Sequence, residues 1–591
     1  MVDSNVTRMS MVDEVVSLLN MLGKHRWTNT EEMDMIGLVL RRGYGEKYKS
    51  TWLQMSKISP LYDEEMLNAL WSHESHESCD LEALEEMAKT DDPIGYRMHK
   101  ARYISPEVLD NWDQQDRGLS IIAYKMLKNK VKKCGKSDIY LFLDKDCRWI
   151  KCVERSLRIM LSLAVEDCLR DVITYYSASS SVSGLSDAER RELDEKQAAV
   201  MQRIVYMRKT GGMNNVVTHL ADMCQDDSFE QRLDSVPHLL GVKNGVIDLR
   251  TAELRLRKPC DYIYTVLDIE YDKDADDTVM TETISSAMAD DAEMSSYIQK
   301  LLGYGITGEV SEEIFPIFTG KGRNCKGVIT QTIQKILGSP FYVDMNAGII
   351  CERQVANIDA ERGKLLGARI AVFSELQPGE KLKSNEVQLL SGGDGISATP
   401  KYKDPMTIMP RHLCILATNH MPEISPVITA IMERLICIDF PVTFTDLLPG
   451  ELPTKYRRQA NKGLKTYLDS HKDQVLAWLV RGAKMWYEKP NLKRDAPLKV
   501  RDASNKYFFE QDKLAQFMSE SCSIGPSYIV KSSDLRDAFN SWNDDEKSVS
   551  SKEFVKLMRF KGFEKEVSKM NGVACNCFKG LGLSCSYFPI Q

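Results

Sequence analysis

One stretch limits what this chain can fold into more than any other: Phe315-Pro-Ile-Phe-Thr-Gly-Lys-Gly-Arg-Asn-Cys-Lys-Gly-Val-Ile-Thr-Gln-Thr-Ile-Gln-Lys-Ile336. The apolar run from Ile314 to Phe318 reads as a buried strand. Gly320, Gly322 and Gly327 punctuate the loop that follows, and Val328, Ile329, Thr332, Ile333 and Ile336 then recur at helical spacing. Strand, glycine loop, lysine and helix is a layout that wraps a triphosphate. Glycines let backbone N–H groups approach phosphate oxygens, the helix N-terminus adds positive field, and the lysine reaches the outer phosphates. Here the lysine is Lys326. A glycine-rich turn joining any strand to any helix has the same local pattern, so the loop alone leaves both readings open.

Two positions depart from the phosphate-loop pattern G-x-x-x-x-G-K-[ST]. Cys325 stands where glycine is expected, and a Cβ there costs ~1–2 kcal/mol if the backbone must be left-handed. Gly327 stands where a hydroxyl is expected. Its loss removes one magnesium ligand, which a water can replace. A thiol at a helix N-terminus beside Lys326 is also expected to ionise more readily than usual.

The chain downstream supplies an ordered set. Gly367-Ala-Arg-Ile-Ala-Val-Phe-Ser-Glu375 is a buried strand ending in an acid, suited to Mg²⁺ and to the attacking water in a nucleotide-hydrolysing core. A helix then leads through Gly392-Gly-Asp394 into a hairpin whose tip carries Lys401, Tyr402 and Lys403. His412-Leu-Cys-Ile-Leu-Ala-Thr-Asn-His420 is another buried strand, ending in Asn419. Glu433-Arg434 precedes a last strand, Leu435–Ile438. Each piece alone is commonplace. Their order and close spacing fit successive strands of one α/β nucleotide-binding sheet with ligands at the strand C-termini.

Length allows about four domains. The net charge of −7 means that any nucleic acid must be met by local basic patches, not by bulk charge. No apolar run approaches the ~18 residues of a membrane span, and the polar N-terminus has no signal-peptide core. Fifteen scattered cysteines suggest reduced thiols inside a cell. Residues 1–100 read as helical, anchored by Trp52 and Trp71. His73, His76 and Cys79 lack a second ligand pair and read as a polar loop. Asp144 and Asp146 follow an apolar strand and could hold metals in a primase or polymerase, but a hairpin turn is the favoured reading. Asn244-Gly245 between apolar stretches predicts a second hairpin. Residues 441–510 look helical and turn basic. Two amphipathic helices, one capped near Ser533 and one over Ser550–Lys561, precede a β-rich end with Cys575, Cys577 and Cys585, read as thiols in a wing hairpin.

From Gly303 to Pro441 the chain resembles the superfamily 3 helicase core of the primase-helicases of large DNA viruses, phages and mobile elements. The carrying residues are Gly320 to Gly327, Ser374-Glu375, Gly392-Gly-Asp394, Ala417-Thr-Asn-His420 and Glu433-Arg434. Asn244–Arg250 and Gly303–Gly308 are similar to the segment preceding that helicase, and Trp52–Tyr62 with Ala88–Tyr96 to its primase-associated helical module. The resemblance implies a multidomain α/β and α+β chain: a helical module over 1–105, a pre-helicase α+β domain over 115–300, an AAA+ P-loop core over 301–485 and a winged-helix-like domain over 500–591. The chain starts at the accessory module, so the primase catalytic domain and its activity are expected to be missing.

The same resemblance implies ATP and Mg²⁺ as cofactors. The loop Gly320, Lys321, Gly322, Arg323, Asn324, Cys325, Lys326 and Gly327 would bind the nucleotide, Glu375 would serve Mg²⁺ and the water, and Asn419 would sense the γ-phosphate. Arg434 would act across a subunit interface, a role worth roughly 10³-fold or more in phosphoryl transfer. Lys401, Tyr402 and Lys403 would grip DNA. The expected function is an ATP-dependent helicase, a homo-hexameric ring on single-stranded or forked DNA, replicating a viral or mobile-element genome. The alternative is a degenerate ring that loads or scaffolds with weak ATPase. A polymerase or a separate primase is the expected partner, with no membrane and an intracellular site, cytoplasm or nucleus left open.

Overall fold

The computed structural model describes residues 11–584 apart from 45, 61, 73–81, 111–114, 128, 144–145, 182–183, 354, 375, 402–403, 425–426, 544–547 and 571–572. Asp144, Glu375, Tyr402, Lys403, His73, His76, Cys79 and Cys585, singled out above, lie outside the described residues. The chain divides into two compact units, Met1–Gln231 and Arg232–Gln591. No described helix is long and apolar enough to cross a membrane.

The first unit is mainly helical and holds two apolar cores. Trp27, Trp52 and Trp71 are buried in one of them. Burial obliges each indole N–H to find an acceptor. Trp52 donates to Met33 O at 3.0 Å and Trp71 to the Glu46 carboxylate at 3.0 Å. The second core lies between the long helices Glu154–Ser180 and Asp187–Met207 and a three-stranded antiparallel sheet. In that sheet Leu143 pairs with Arg148, and Asp146, between the two strands, is exposed.

The second unit is built on a parallel sheet, and seven elements define it. In chain order they are α1 (Ala292–Gly305), β1 (Phe315–Thr319), α2 (Lys326–Leu337), β2 (Tyr342–Met345), β3 (Ile370–Ser374), β4 (Leu413–Ala417) and β5 (Leu435–Asp439). The strand order is β5-β1-β4-β3-β2, all parallel. A parallel sheet is covered on both faces, which is why these strands read as unbroken apolar runs. Alternate residues divide between two cores: Ile370 and Val372 point to one, Ala371 and Phe373 to the other.

The first of these cores also takes in Leu240, Val242 and Ile247 of an upstream hairpin, α1, and the helix α3 (Lys472–Glu488). Residues 239–305 therefore share the sheet's core. The two compact units divide at 231/232. Arg369, fully buried before β3, reinforces this junction. Its guanidinium donates to the carbonyls of Pro237 at 2.6 Å, Leu239 at 3.0 Å and Ile306 at 3.0 Å, and also to that of Thr307.

The upstream hairpin pairs Leu239–Val242 with Gly245–Asp248, with Val242 opposite Gly245. Its two-residue turn is Lys243-Asn244, one position earlier than an Asn-Gly turn. Gly245 stands in the strand because a Cβ there would lie 2.4 Å from Arg255 O. Residues 441–510 are less helical than expected. Thr443–Thr445 pairs in parallel with Arg457–Gln459, and Arg458 forms a salt bridge with Asp290 at 2.5 Å.

At the C-terminal end, the helix Lys513–Ser521 leads into the strand Cys522–Lys531. The helices Ser532–Trp542 and Ser551–Phe560 follow, then the strands Lys565–Met570 and Val573–Leu583. The last strand lies between the other two, antiparallel to both. Ser550 caps its helix by accepting from Glu553 N, but the preceding helix begins at Ser532 without a side-chain cap. Cys575 and Cys577 lie side by side, sulfurs 3.4 Å apart, and no metal-binding cluster of three ligands occurs among the described residues.

α1 and α3 touch through glycines. A Cβ on Gly303 would stand 2.1 Å from Ala483 N, and one on Gly482 would stand 2.2 Å from Gln299 O. Such contact involves backbone on both sides and cannot be relieved by a rotamer change. Gly303→Ala is expected to destabilise the second unit by about 3 kcal/mol, the upper end for overpacking a close contact, as read from the midpoint of urea unfolding. An unchanged midpoint would show that the two helices are free to separate.

Candidate functional site

In the parallel sheet the C-terminal ends of β1, β3, β4 and β5 share one edge, and the loop after β1 lies across it. This loop is bent by four departures from ordinary backbone within six residues. Gly320 has φ 148°, Gly322 φ 87°, Arg323 φ 49° and Cys325 φ 73°. The left-handed backbone at Cys325 is the conformation for which glycine is preferred, so the cysteine's Cβ carries the ~1–2 kcal/mol expected of it.

The loop is clasped from the far side of β5. Phe440 N donates to Thr319 O at 2.9 Å, Phe444 N donates to Arg323 O at 2.7 Å, and Asn324 Nδ2 donates to Phe440 O at 3.4 Å. Glycine is needed at 320 because a Cβ would meet Asn324 Nδ2 at 2.0 Å and Phe440 O at 2.7 Å.

Lys326 opens α2 and is only 6% exposed. Its ammonium donates to Gly320 O at 3.0 Å and to Asn419 Oδ1 at 2.9 Å. Burial lowers its pKa to about 8, and the charge of Asp439 opposes that drop. Asn419 is brought there by register. Ala417 pairs with Phe318 on β1 and with Ser374 on β3, and Thr418 N donates to Phe318 O at 3.0 Å. Lys326 and Asn419, 93 positions apart in sequence, thus meet in a hydrogen bond. Ser374 stands on the neighbouring strand, and Glu375 follows it.

A cavity of ≈ 740 Å³ opens over these groups. Its walls include Gly322 to Asn324, Lys326, Gly327 and Thr330 from the loop and α2, Ser374 at the end of β3 and Gln377 beyond it, and Thr418 to His420 after β4. The mixture of backbone N–H groups, an ammonium and an amide suits a polyanion. Gly327 offers no hydroxyl, but Thr330, one turn on, and Ser374 bring hydroxyl oxygens to the same wall, a donor type that fits Mg²⁺.

Arg434 is not brought to this group. It precedes β5, at the opposite edge of the sheet, where its carbonyl accepts from Phe315 N at 2.7 Å. Its guanidinium pairs with Glu313 at 2.8 Å and donates to Ala430 O at 3.2 Å, and its Nε is buried without a partner. Lys401 is exposed at the tip of the antiparallel hairpin Ile396–Ala398/Met406–Ile408.

Two features escaped the sequence reading. Asp439, at the end of β5, sets its charge against Lys326 and Lys321. The signal that marked Glu375 and Asn419, a polar group closing an apolar strand, applies to it equally. The second is the side of the loop on which Cys325 lies. It does not line the large cavity but a smaller one of ≈ 380 Å³ with Val279, Arg323, Val328, Phe444 and Leu464.

Apolar burial pushes the Cys325 thiol up to about 11, which overturns the expectation of a readily ionised thiol. The helix terminus and Lys326 do not compensate, because the side chain faces away from the charged cavity. Alkylation of Cys325 by iodoacetamide, followed by peptide mass spectrometry on the folded protein, should therefore be slow at neutral pH. It should accelerate by about tenfold per pH unit until the thiol titrates, since the thiolate is the reactive form. Fast labelling at neutral pH would contradict this placement.

Parts of the chain are similar to known proteins. Residues 120–298 match the family described as "D5 N terminal like". Over 443 residues the chain is 25% identical to "Putative helicase L207/L206" of Acanthamoeba polyphaga mimivirus, covering 72% of this chain and 45% of that protein. It is 24% identical over 410 residues to "Putative helicase 121R" of Invertebrate iridescent virus 3, covering 62% and 43%. It is 22% identical over 433 residues to "Putative helicase 022R" of Frog virus 3, covering 60% and 44%. The chain spans less than half the length of these relatives. These matches, with the ordered motifs along the second unit, make the chain similar to viral proteins named as putative helicases and, over residues 120–298, to the D5 N-terminal-like family.

Proposed function

We propose that this chain is an ATP-dependent DNA helicase of superfamily 3, working as an AAA+ ring, a homo-hexamer, on single-stranded or forked viral DNA. The observation that carries the reading is the hydrogen bond of 2.9 Å from Lys326 to Asn419 across the floor of the large cavity. It joins the residue type that neutralises β- and γ-phosphates to the type that senses the last phosphate, at adjacent strand ends of one sheet. The relatives named as helicases support it.

In this reading the loop Gly320–Gly327 cradles the phosphates with its backbone N–H groups, and the ammonium of Lys326 leaves Gly320 O for them. Asn419, released from Lys326, orients the attacking water or the γ-phosphate. Glu375, Ser374 and Thr330 would hold Mg²⁺, which would supply charge neutralisation on the phosphates. The base lodges in the smaller apolar cavity against Val328 and Phe444. Arg434 serves a neighbouring protomer's site once its pairing with Glu313 is exchanged. Lys401, Tyr402 and Lys403 contact the strand in the ring's pore. The C-terminal order of helix, strand, two helices and two strands is that of a winged helix, with Lys552 and Lys556 exposed on the second of the paired helices. A polymerase or a separate primase completes the replication machinery.

A second reading, a ring that binds nucleotide and DNA as a loader or scaffold but hydrolyses slowly, is favoured by three features of this chain. These are the Cβ in a left-handed position at Cys325, the absent hydroxyl at Gly327, and the engagement of Arg434 by its own Glu313.

Steady-state ATPase with and without single-stranded DNA separates the two. The motor reading predicts stimulation by DNA and a loss of about 10²–10³ in kcat for Lys326→Ala and for Asn419→Ala, the scale of removing one preorganised charge-stabilising donor. A wild-type rate equal to that of both variants, with DNA binding intact, would establish the loader reading instead.

A further inference from the structure

The helix Ser551–Phe560 leaves one side uncovered. Phe554 and Met558 bury into the C-terminal core with Phe578 and Leu581. Lys552, Lys556 and Phe560 recur every four residues and so share the opposite side. All three are exposed, Phe560 to 54%. The strand Lys565–Met570 follows the helix closely, and the salt bridge of Arg559 to Glu564 at 3.1 Å spans the connection. It is an edge strand of its sheet. Lys565, Val567 and Lys569 alternate along it, point to one face and are exposed, Val567 to 73%. That face is the one the helix covers, because Lys565 pairs with Phe578, whose ring packs against Phe554. Four lysines, with Phe560 and Val567 among them, thus lie on one side of the sheet.

The acids around this surface are engaged elsewhere. Glu564 pairs with Arg559, Asp512 with Lys561, and Glu566, on the other face of its strand, with Lys579. Glu553 lies in the first turn of the helix, about 100° around from Lys552. Lys552, Lys556, Lys565 and Lys569 form no ion pair among the described residues. Positive charge is therefore left over here, on a chain whose net charge is −7.

On the reading of this chain as a DNA helicase, we propose that the side formed by Lys552, Lys556, Phe560, Lys565, Val567 and Lys569 holds duplex DNA, without regard to base sequence, at a site separate from the hairpin of Lys401. It gives the motor a second grip, on the arm not yet unwound.

Charge and shape both favour this partner. A protein of net negative charge can meet DNA only through a local basic patch, and unpaired ammonium groups are point charges suited to phosphates. A helix about 10–12 Å across fits a major groove about 12 Å wide. Its exposed side offers no Asn or Gln, and its one arginine, Arg559, is tied to Glu564, so the side chains that read base edges are missing. Phosphate contacts position a protein on the duplex without selecting sequence. Each lysine set against a phosphate releases a counterion, so four of them give binding a steep dependence on salt. Phe560 and Val567 add apolar contact with the sugars between phosphates, which salt does not screen.

The test is the affinity of the full chain for short blunt duplexes of two unrelated sequences, by fluorescence anisotropy over a range of salt, with no nucleotide present. The double variants Lys552→Ala/Lys556→Ala and Lys565→Ala/Lys569→Ala should each weaken binding to both duplexes equally. Each should also flatten the slope of log affinity against log salt by about 2. Lys552→Arg/Lys556→Arg, which keeps the charge and guards against a folding defect, should follow wild type. Phe560→Ser should weaken binding with the slope unchanged. Wild-type affinity and slope in both alanine pairs, with single-stranded DNA still bound, would overturn this inference and leave the helicase reading standing. A loss confined to one of the two sequences would overturn it in favour of base readout. Polyglutamate bound as tightly as duplex, and lost in the same variants, would overturn it in favour of an acidic protein. A wild type that binds neither form of DNA would overturn both this inference and the helicase reading.

Discussion

A lysine ammonium withdrawn from water must be surrounded by acceptors, and most of the second unit's arrangement near Lys326 meets that requirement. Gly320 turns its carbonyl back onto the ammonium, which needs a backbone path that the loop's positive φ values supply. Asn419 arrives from another strand, which needs the register of β4 against β1. Asp439 contributes charge from a third strand. No single segment could desolvate the ammonium and satisfy it at once. The site therefore exists only when the three strand ends are aligned.

That alignment rests on the sheet's two cores. Because successive residues of each strand point to opposite faces, both faces must be apolar, and a slip of one residue would exchange the two sets. Arg369 adds a second restraint. Its guanidinium is satisfied by carbonyls from residues 237–239 and 306–307, which ties the upstream hairpin and the end of α1 to the base of β3. The close glycine contact of Gly303 with α3 does the same from the other side. The functional edge is thus braced at the opposite edge of the sheet, where Arg434 also lies.

Much of this was legible in the chain. Apolar runs ending in a polar residue marked β3 and β4, and glycine spacing marked the loop. Trp52 and Trp71 announced a buried helical core, and the strands on either side of Asp146 pair antiparallel, as the hairpin reading expected. The misreadings share a cause. Cys325 was assigned a low pKa from its neighbours in sequence, Lys326 and a helix terminus, whereas its side chain turns to an apolar cavity built by Val279, Phe444 and Leu464. Residues 239–305 bury their apolar side chains in the sheet's core, a packing that no local pattern announces. The Asn244-Gly245 signal gave the hairpin but not its turn, because Asn244 is held by paired hydrogen bonds to Tyr271 across the chain.

By itself the sequence determined the local grammar of the protein: which runs are strands, where the phosphate-type loop bends, which lysine opens the helix, and the order of the strand-end residues. Those follow from periodicity and backbone preference, which act over a few positions. Only the tertiary structure decided which charges meet. Asn419 beside Lys326, Asp439 at the end of the strand paired with β1, Arg434 engaged by Glu313 at the far edge, and the Cys325 thiol turned to the smaller, mainly apolar cavity are all outcomes of strand order and register. The physical reason is that a pairing energy depends on distance in space, and the sheet brings together ends that the chain keeps far apart.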